Sequence, residues 1–172
     1  LDLHITATHL FPHDQSPTGV GFVLAVALTR PQSTGRVWLE SRDPAAAPHI
    51  DLNFLAQEND RVRLLEGVKL ARKIGQTAPL STLVHSELAP AADSDEAILA
   101  SMVATLDTYH HPTSSAPMGN AGEPKAVVDL QGRVHGVYGL RVVDASIFPD
   151  VPSVATNVTT IATAEHIARH YA

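Results

Sequence analysis

Two adjacent histidines, His110 and His111, stand directly before Pro112 and the small-residue run Thr113-Ser114-Ser115-Ala116-Pro117-Met118-Gly119. An imidazole gains and loses a proton near neutral pH, so acid–base work by one of the pair is the functional reading, with a structural role left open by spacing alone. Small residues after the pair let the backbone approach a flat or bulky group. Neighbouring histidines do not readily share one metal, and no carboxylate stands at an HExxH or HxxEH spacing, so no metal site is expected. Ser33, Ser114, Ser115 and Ser146 lie in no GxSxG elbow, and the chain has no Cys, which removes thiolate chemistry and disulfides. His4, His9, His13, His49, His85, His166 and His170 read as surface or satisfied core residues.

The chain around these residues has 172 positions, enough for one sizeable domain. Its apolar content of 44% belongs to a globular protein, and its net charge is −6, from 12 basic and 18 acidic residues. No basic patch carries interleaved aromatics, which argues against a nucleic-acid partner. No apolar run approaches the roughly 18 residues of a membrane span, so no membrane partner is expected. No signal peptide is visible, and a cytoplasmic location is the expectation.

The elements that must hold the histidines follow from periodicity. Residues 1–10 alternate like a half-buried strand, Val20–Thr29 reads as a central strand, and Arg36–Ser41 as a strand pairing back on it. His49–Leu55 is a short extended piece. A helix is expected over 59–74, with Asn59 or Asp60 as N-cap, Gly75 as the stop, and Val62, Leu65, Val68 and Ile74 on the buried face beside Leu64 and Leu70. A second helix should run from an N-cap at Ser94 to about Thr108. Ala126–Asp129 and Arg133–Gly136 form a hairpin across Leu130-Gln131-Gly132, and Leu140–Val143 a short buried strand ending at Asp144. A closing helix over Val158–Tyr171 should bury Ile161, Ala164, Ile167 and Ala168. Strands followed by helices make an α+β fold, an antiparallel sheet with helices on one face.

Read in order, His111-Pro112 through Met118-Gly119, Val127-Val128-Asp129, Arg133-Val134-His135-Gly136 and Gly139 through Ile147 with Pro149 resemble the C-terminal signature of the glucose–methanol–choline (GMC) oxidoreductases. Arg30-Pro31-Gln32-Ser33, Gly35-Arg36-Val37, Ser41-Arg42-Asp43-Pro44, Pro48-His49-Ile50-Asp51 and Asp60 resemble the same family's substrate domain. The resemblance implies an FAD enzyme that oxidises a small-molecule alcohol by hydride transfer to flavin N5. It implies that His111 is the catalytic proton acceptor, and that His110, Asp144, Ala145, Thr156, Asn157 and Val158 touch the flavin. It further implies that residues 1–111 are the C-terminal portion of a substrate-binding domain and 112–172 the segment that returns to complete an FAD-binding domain.

Three departures qualify these expectations. The position of the family's second catalytic His or Asn is Ala155, so His111 acts alone, or Asn157 or a residue outside the chain substitutes. Ser114-Ser115-Ala116 replaces the Gly-Thr-Cys of many members. No GxGxxG pyrophosphate loop occurs, so the nucleotide-binding half is expected elsewhere, in cis or as another chain, and the isolated chain is expected to be inactive. Two rival readings are a lyase on the same scaffold, in which bound FAD is structural, and a binding module without catalysis.

Overall fold

A computed structural model of the chain describes residues 2–9 and 11–171. Leu1 and Leu10, the ends of the expected first strand, lie outside the described residues. The chain forms two compact units, one from residues up to Ser33 together with Leu55–Asp107, the other from Thr34–Phe54 together with Thr108 onward.

In the first unit β1 (Leu3–Thr8) pairs antiparallel with β2 (Val23–Leu28), in a register running from Leu3 opposite Leu28 to Thr8 opposite Val23. Helix α1 (Glu58–Gly75) packs on this ribbon, and α2 (Asp95–Thr105) packs on α1. Leu64, Leu65, Ile98 and Met102 form the core, with Val26, Leu28, Val68 and Leu99 half-buried around it. Ser94 is the N-cap of α2 as expected, its Oγ accepting from the Ala97 N–H at 3.2 Å. The helix stops at Thr105, short of the expected Thr108.

The face that α1 buries is only partly the expected one: Leu64 and Leu65 are in the core and Val68 is half-buried beside them. Asp60, Leu64, Leu65, Gly67 and Ala71 are buried, whereas Val62, Leu70 and Ile74 are 45%, 47% and 40% exposed. The spacing of 60, 64, 67 and 71 is helical, but Asp, Gly and Ala carry little apolar signal. Gly67 is there for closeness: a Cβ at this position would lie 2.6 Å from Val26 Cγ1 and 3.1 Å from Leu3 Cδ2. Asp60 does not cap the helix, which begins at Glu58. Its two carboxylate oxygens accept the backbone N–H groups of Gln32 (2.8 Å) and Ser33 (2.7 Å), which fixes the turn after β2.

In the second unit β3 (Arg36–Trp38) pairs antiparallel with β4 (His49–Asp51), not with β2. The expected single sheet from the N-terminus to Ser41 is thus two separate two-stranded ribbons. The connection from β3 to β4, residues 39–48, carries a turn in which Asp43 Oδ1 accepts from Ala45 N–H (2.9 Å). The α+β class with antiparallel sheets and helices holds.

The rest of this unit is built from tight bridges. Val128 bridges both Met118 and Val134, and Arg133 bridges Arg141. The expected hairpin is present: Asp129 N–H donates to the Arg133 carbonyl at 2.9 Å, and Gly132 turns the chain at φ +74°. The expected buried strand 140–143 is reduced to the bridge at Arg141, and Leu140 is 50% exposed. Val128, Ile147, Phe148 and Ile167 form the core. Helix α3 (Thr156–Tyr171) begins two residues before the expected Val158. Of its expected buried face, Ile167 is buried and Ala164 half-buried, while Ile161 and Ala168 are exposed. Thr156, Thr160 and Thr163 take inward positions instead, because the hydroxyls of Thr160 and Thr163 bond the carbonyls four residues back, both at 2.8 Å, and hide their polarity. No helix among the described residues is long and apolar enough to cross a membrane.

Candidate functional site

The loop carrying the histidines is shaped by its backbone. His110 has φ +60° and Ser114 φ +65°, left-handed values that are uncommon outside glycine. The N–H of His110 donates to Thr108 Oγ1 at 3.0 Å, which helps hold the turn, and its side chain is exposed. The following stretch runs along the 3-10 turn Ala145–Ile147: Ser114, Ala116 and Met118 donate their N–H groups to the carbonyls of Ala145 (3.3 Å), Ser146 (2.9 Å) and Ile147 (2.8 Å). Asp144 caps that turn, its Oδ1 accepting from Ser146 N–H at 2.8 Å, and stays exposed.

His111 is half-buried, and its Nδ1 lies 3.2 Å from the hydroxyl oxygen of Thr156. The ring of Tyr109 meets the imidazole edge-to-face, with centroids 5.0 Å apart at 81°. Thr156 is the first residue of α3 and is 8% exposed, whereas Ala155, Asn157 and Val158 beside it are exposed. First-turn N–H groups have no partner within a helix and carry its positive dipole end. The structure therefore brings His111 and Thr156 into direct contact, sets Asn157 and Val158 on the next positions of the same helical turn, and ties Ala145 to Ser114. It places His110 in solvent. Sequence reasoning missed the Thr156–His111 bond and the Tyr109 contact. No spacing rule could have found a bond across 45 residues, although Tyr109 lay in plain view two positions away.

In the hairpin of the same unit, Asp129 has a shifted carboxyl. Burial works to raise its carboxyl, but the backbone N–H groups of Arg133 (2.9 Å) and Gln131 (2.8 Å) and the Arg133 guanidinium (2.8 Å) outweigh this and hold it below the usual carboxylate range.

Residues 31–164 match the C-terminal family model of the GMC oxidoreductases. The chain belongs to the GMC oxidoreductase family. It is 41% identical over 150 residues to an oxygen-dependent choline dehydrogenase of Chromohalobacter salexigens, which covers 86% of this chain and 26% of the relative. The corresponding protein of Photobacterium profundum is 34% identical over 152 residues, 87% of this chain and 27% of the relative. Among solved structures, pyridoxine 4-oxidase from Mesorbium loti superposes with a TM-score of 0.85 at 28% identity, over 99% of this chain and 34% of that one. A formate oxidase of Aspergillus oryzae RIB40, studied for its FAD modification, gives 0.78 at 33% identity, over 84% and 26%. The chain spans about a quarter of the length of the curated relatives it matches.

The residues present fit the redox end of a flavin. The first-turn N–H groups that a helix leaves without internal partners suit an electron-rich ring edge at the start of α3, where exposed Asn157 adds an amide and exposed Val158 an apolar face. The chain contains no GxGxxG loop that would suit the pyrophosphate.

Proposed function

We propose that this chain is the C-terminal part of an FAD-dependent oxidoreductase acting on the CH–OH group of a small-molecule alcohol, with His111 as the proton acceptor. Bound FAD supplies the acceptor for the hydride. The chain's own contribution is the proton: the substrate hydroxyl gives it to the free nitrogen of His111 as the carbon–oxygen bond becomes a carbonyl. The observation that carries this reading is the half-buried imidazole held through Nδ1 by Thr156 at the start of α3, which leaves Nε2 for a substrate. Asn157, on the same turn, takes the orienting part that Ala155 cannot. His110, Asp144, Ala145, Thr156, Asn157 and Val158 line the flavin side. Residues 1–111 serve the substrate and 112–172 the cofactor, with the remaining nucleotide-binding half supplied in cis or by another chain. The names of the curated relatives make choline-type alcohols the first substrates to assay.

The test is His111→Ala in the flavin-loaded, full-length enzyme. A general base contributes on the order of 10²–10⁴-fold, so kcat should fall by that factor while bound-flavin absorbance stays at the parent level. A variant within about tenfold of the parent kcat would refute the assignment. Anaerobic bleaching of the flavin by substrate tests oxidation against lyase chemistry, since only oxidation consumes the flavin colour.

A further inference from the structure

We propose that Thr156 is the positioning residue of this site. Its hydroxyl oxygen accepts the Nδ1–H of His111 and fixes the imidazole in the tautomer whose Nε2 lone pair takes the substrate proton. The inference rests on the reading of His111 as proton acceptor. Thr156 is 8% exposed between exposed neighbours, so its hydroxyl needs a partner within the protein, and His111 Nδ1 at 3.2 Å is one. The edge-to-face contact with Tyr109 limits rotation of the same ring.

A neutral imidazole has one N–H and one lone pair. If Thr156 donated to Nδ1, the hydrogen would sit on Nε2, and the ring could accept nothing there. With Nδ1–H donating to Thr156, Nε2 is the acceptor. The balance then closes. The substrate O–H bond breaks and its proton bonds to Nε2. The C–H electron pair leaves as hydride to oxidised flavin, and the carbonyl forms. The resulting imidazolium keeps its Nδ1–H bond to Thr156, so the hydroxyl holds the ring in both states.

The experiment uses the flavin-loaded, full-length enzyme with ¹⁵N-labelled histidine. Resonances of His111 are identified by their absence in His111→Gln. The parent should show hydrogen on Nδ1 and a bare Nε2. Thr156→Val keeps the shape and removes the oxygen. It should lose this tautomer preference and lower kcat by at least about tenfold, the lower end of what removing the partner that orients a metal-ligating histidine costs, with KM little changed. Thr156→Ser should recover both readouts. Hydrogen on Nε2 in the parent overturns the proposal, as does a Thr156→Val enzyme with the parent tautomer and the parent kcat. The parent spectrum needs no change at position 156, so it decides the matter even where Thr156→Val does not fold. If His111→Gln keeps the parent kcat, the proton-acceptor reading itself fails and this proposal with it. If His111→Gln is inactive while Thr156→Val matches the parent, the role of Thr156 alone is refuted.

Discussion

Replacing Asp60 should release the turn that follows β2. The carboxylate is 1% exposed and accepts two backbone N–H groups, from Gln32 and Ser33, at 2.8 and 2.7 Å. Hydrogen bonds to a charged group are worth about 1.5–3 kcal/mol each, so two amount to roughly 3–6 kcal/mol. Both bonds are only part-buried, and water recovers some of that loss once the carboxylate is gone. Asp60→Ala should therefore destabilise by about 2–4 kcal/mol. Asp60→Asn is the sharper test because it preserves shape. Its amide oxygen can serve one N–H, but its NH₂ then faces the other donor, so the loss should still be about 1.5–3 kcal/mol. Urea denaturation followed by circular dichroism measures both, with the m-value unchanged if the unfolded state is unaffected. Amide hydrogen exchange should accelerate at Gln32 and Ser33 before it does in α2. An Asp60→Asn protein as stable as the parent would refute the reasoning, because the site would then need only volume and not charge.

Two further predictions concern the second unit. Gly132→Ala should destabilise by roughly 2–4 kcal/mol, since residue 132 has φ +74° and an added Cβ would lie 2.6 Å from the Val142 carbonyl oxygen; a thermal melt unchanged from the parent would contradict this. Asp129 has its carboxyl depressed in the folded state, so its stabilising contribution is full above about pH 4, the unfolded carboxylate value, and is lost as pH falls through the lower folded value. Asp129→Asn should accordingly flatten the decline of the urea midpoint below about pH 4; parallel curves for variant and parent would rule this out.

What the sequence determined by itself was what depends on neighbours along the chain. The cap at Ser94, the turn ending in Gly132, the body of the closing helix and the ordered signature from His111 to Pro149 are all local, because a cap, a turn or a motif is set by residues a few positions apart. The same locality made the GMC family legible, since its signature residues are contiguous in the chain. Tertiary structure decided which faces are buried and which strands pair. Apolar periodicity could not see that α1 turns Asp60 and Gly67 inward, because the first is satisfied by backbone donors from a distant turn and the second leaves room for Val26 and Leu3. Nor could it see that α3 turns Thr160 and Thr163 partly inward, their hydroxyls bonded to their own helix. β3 took β4 as its partner, across a connection turned at Asp43, although β2 is nearer in the chain. At the site, the sequence marked His111 as a candidate, but only the fold brought Thr156 to its Nδ1 across 45 residues. For Asp60 and Thr156 the physical reason is the same: a polar group is buried where a partner reaches it, and that partner comes from elsewhere in the chain.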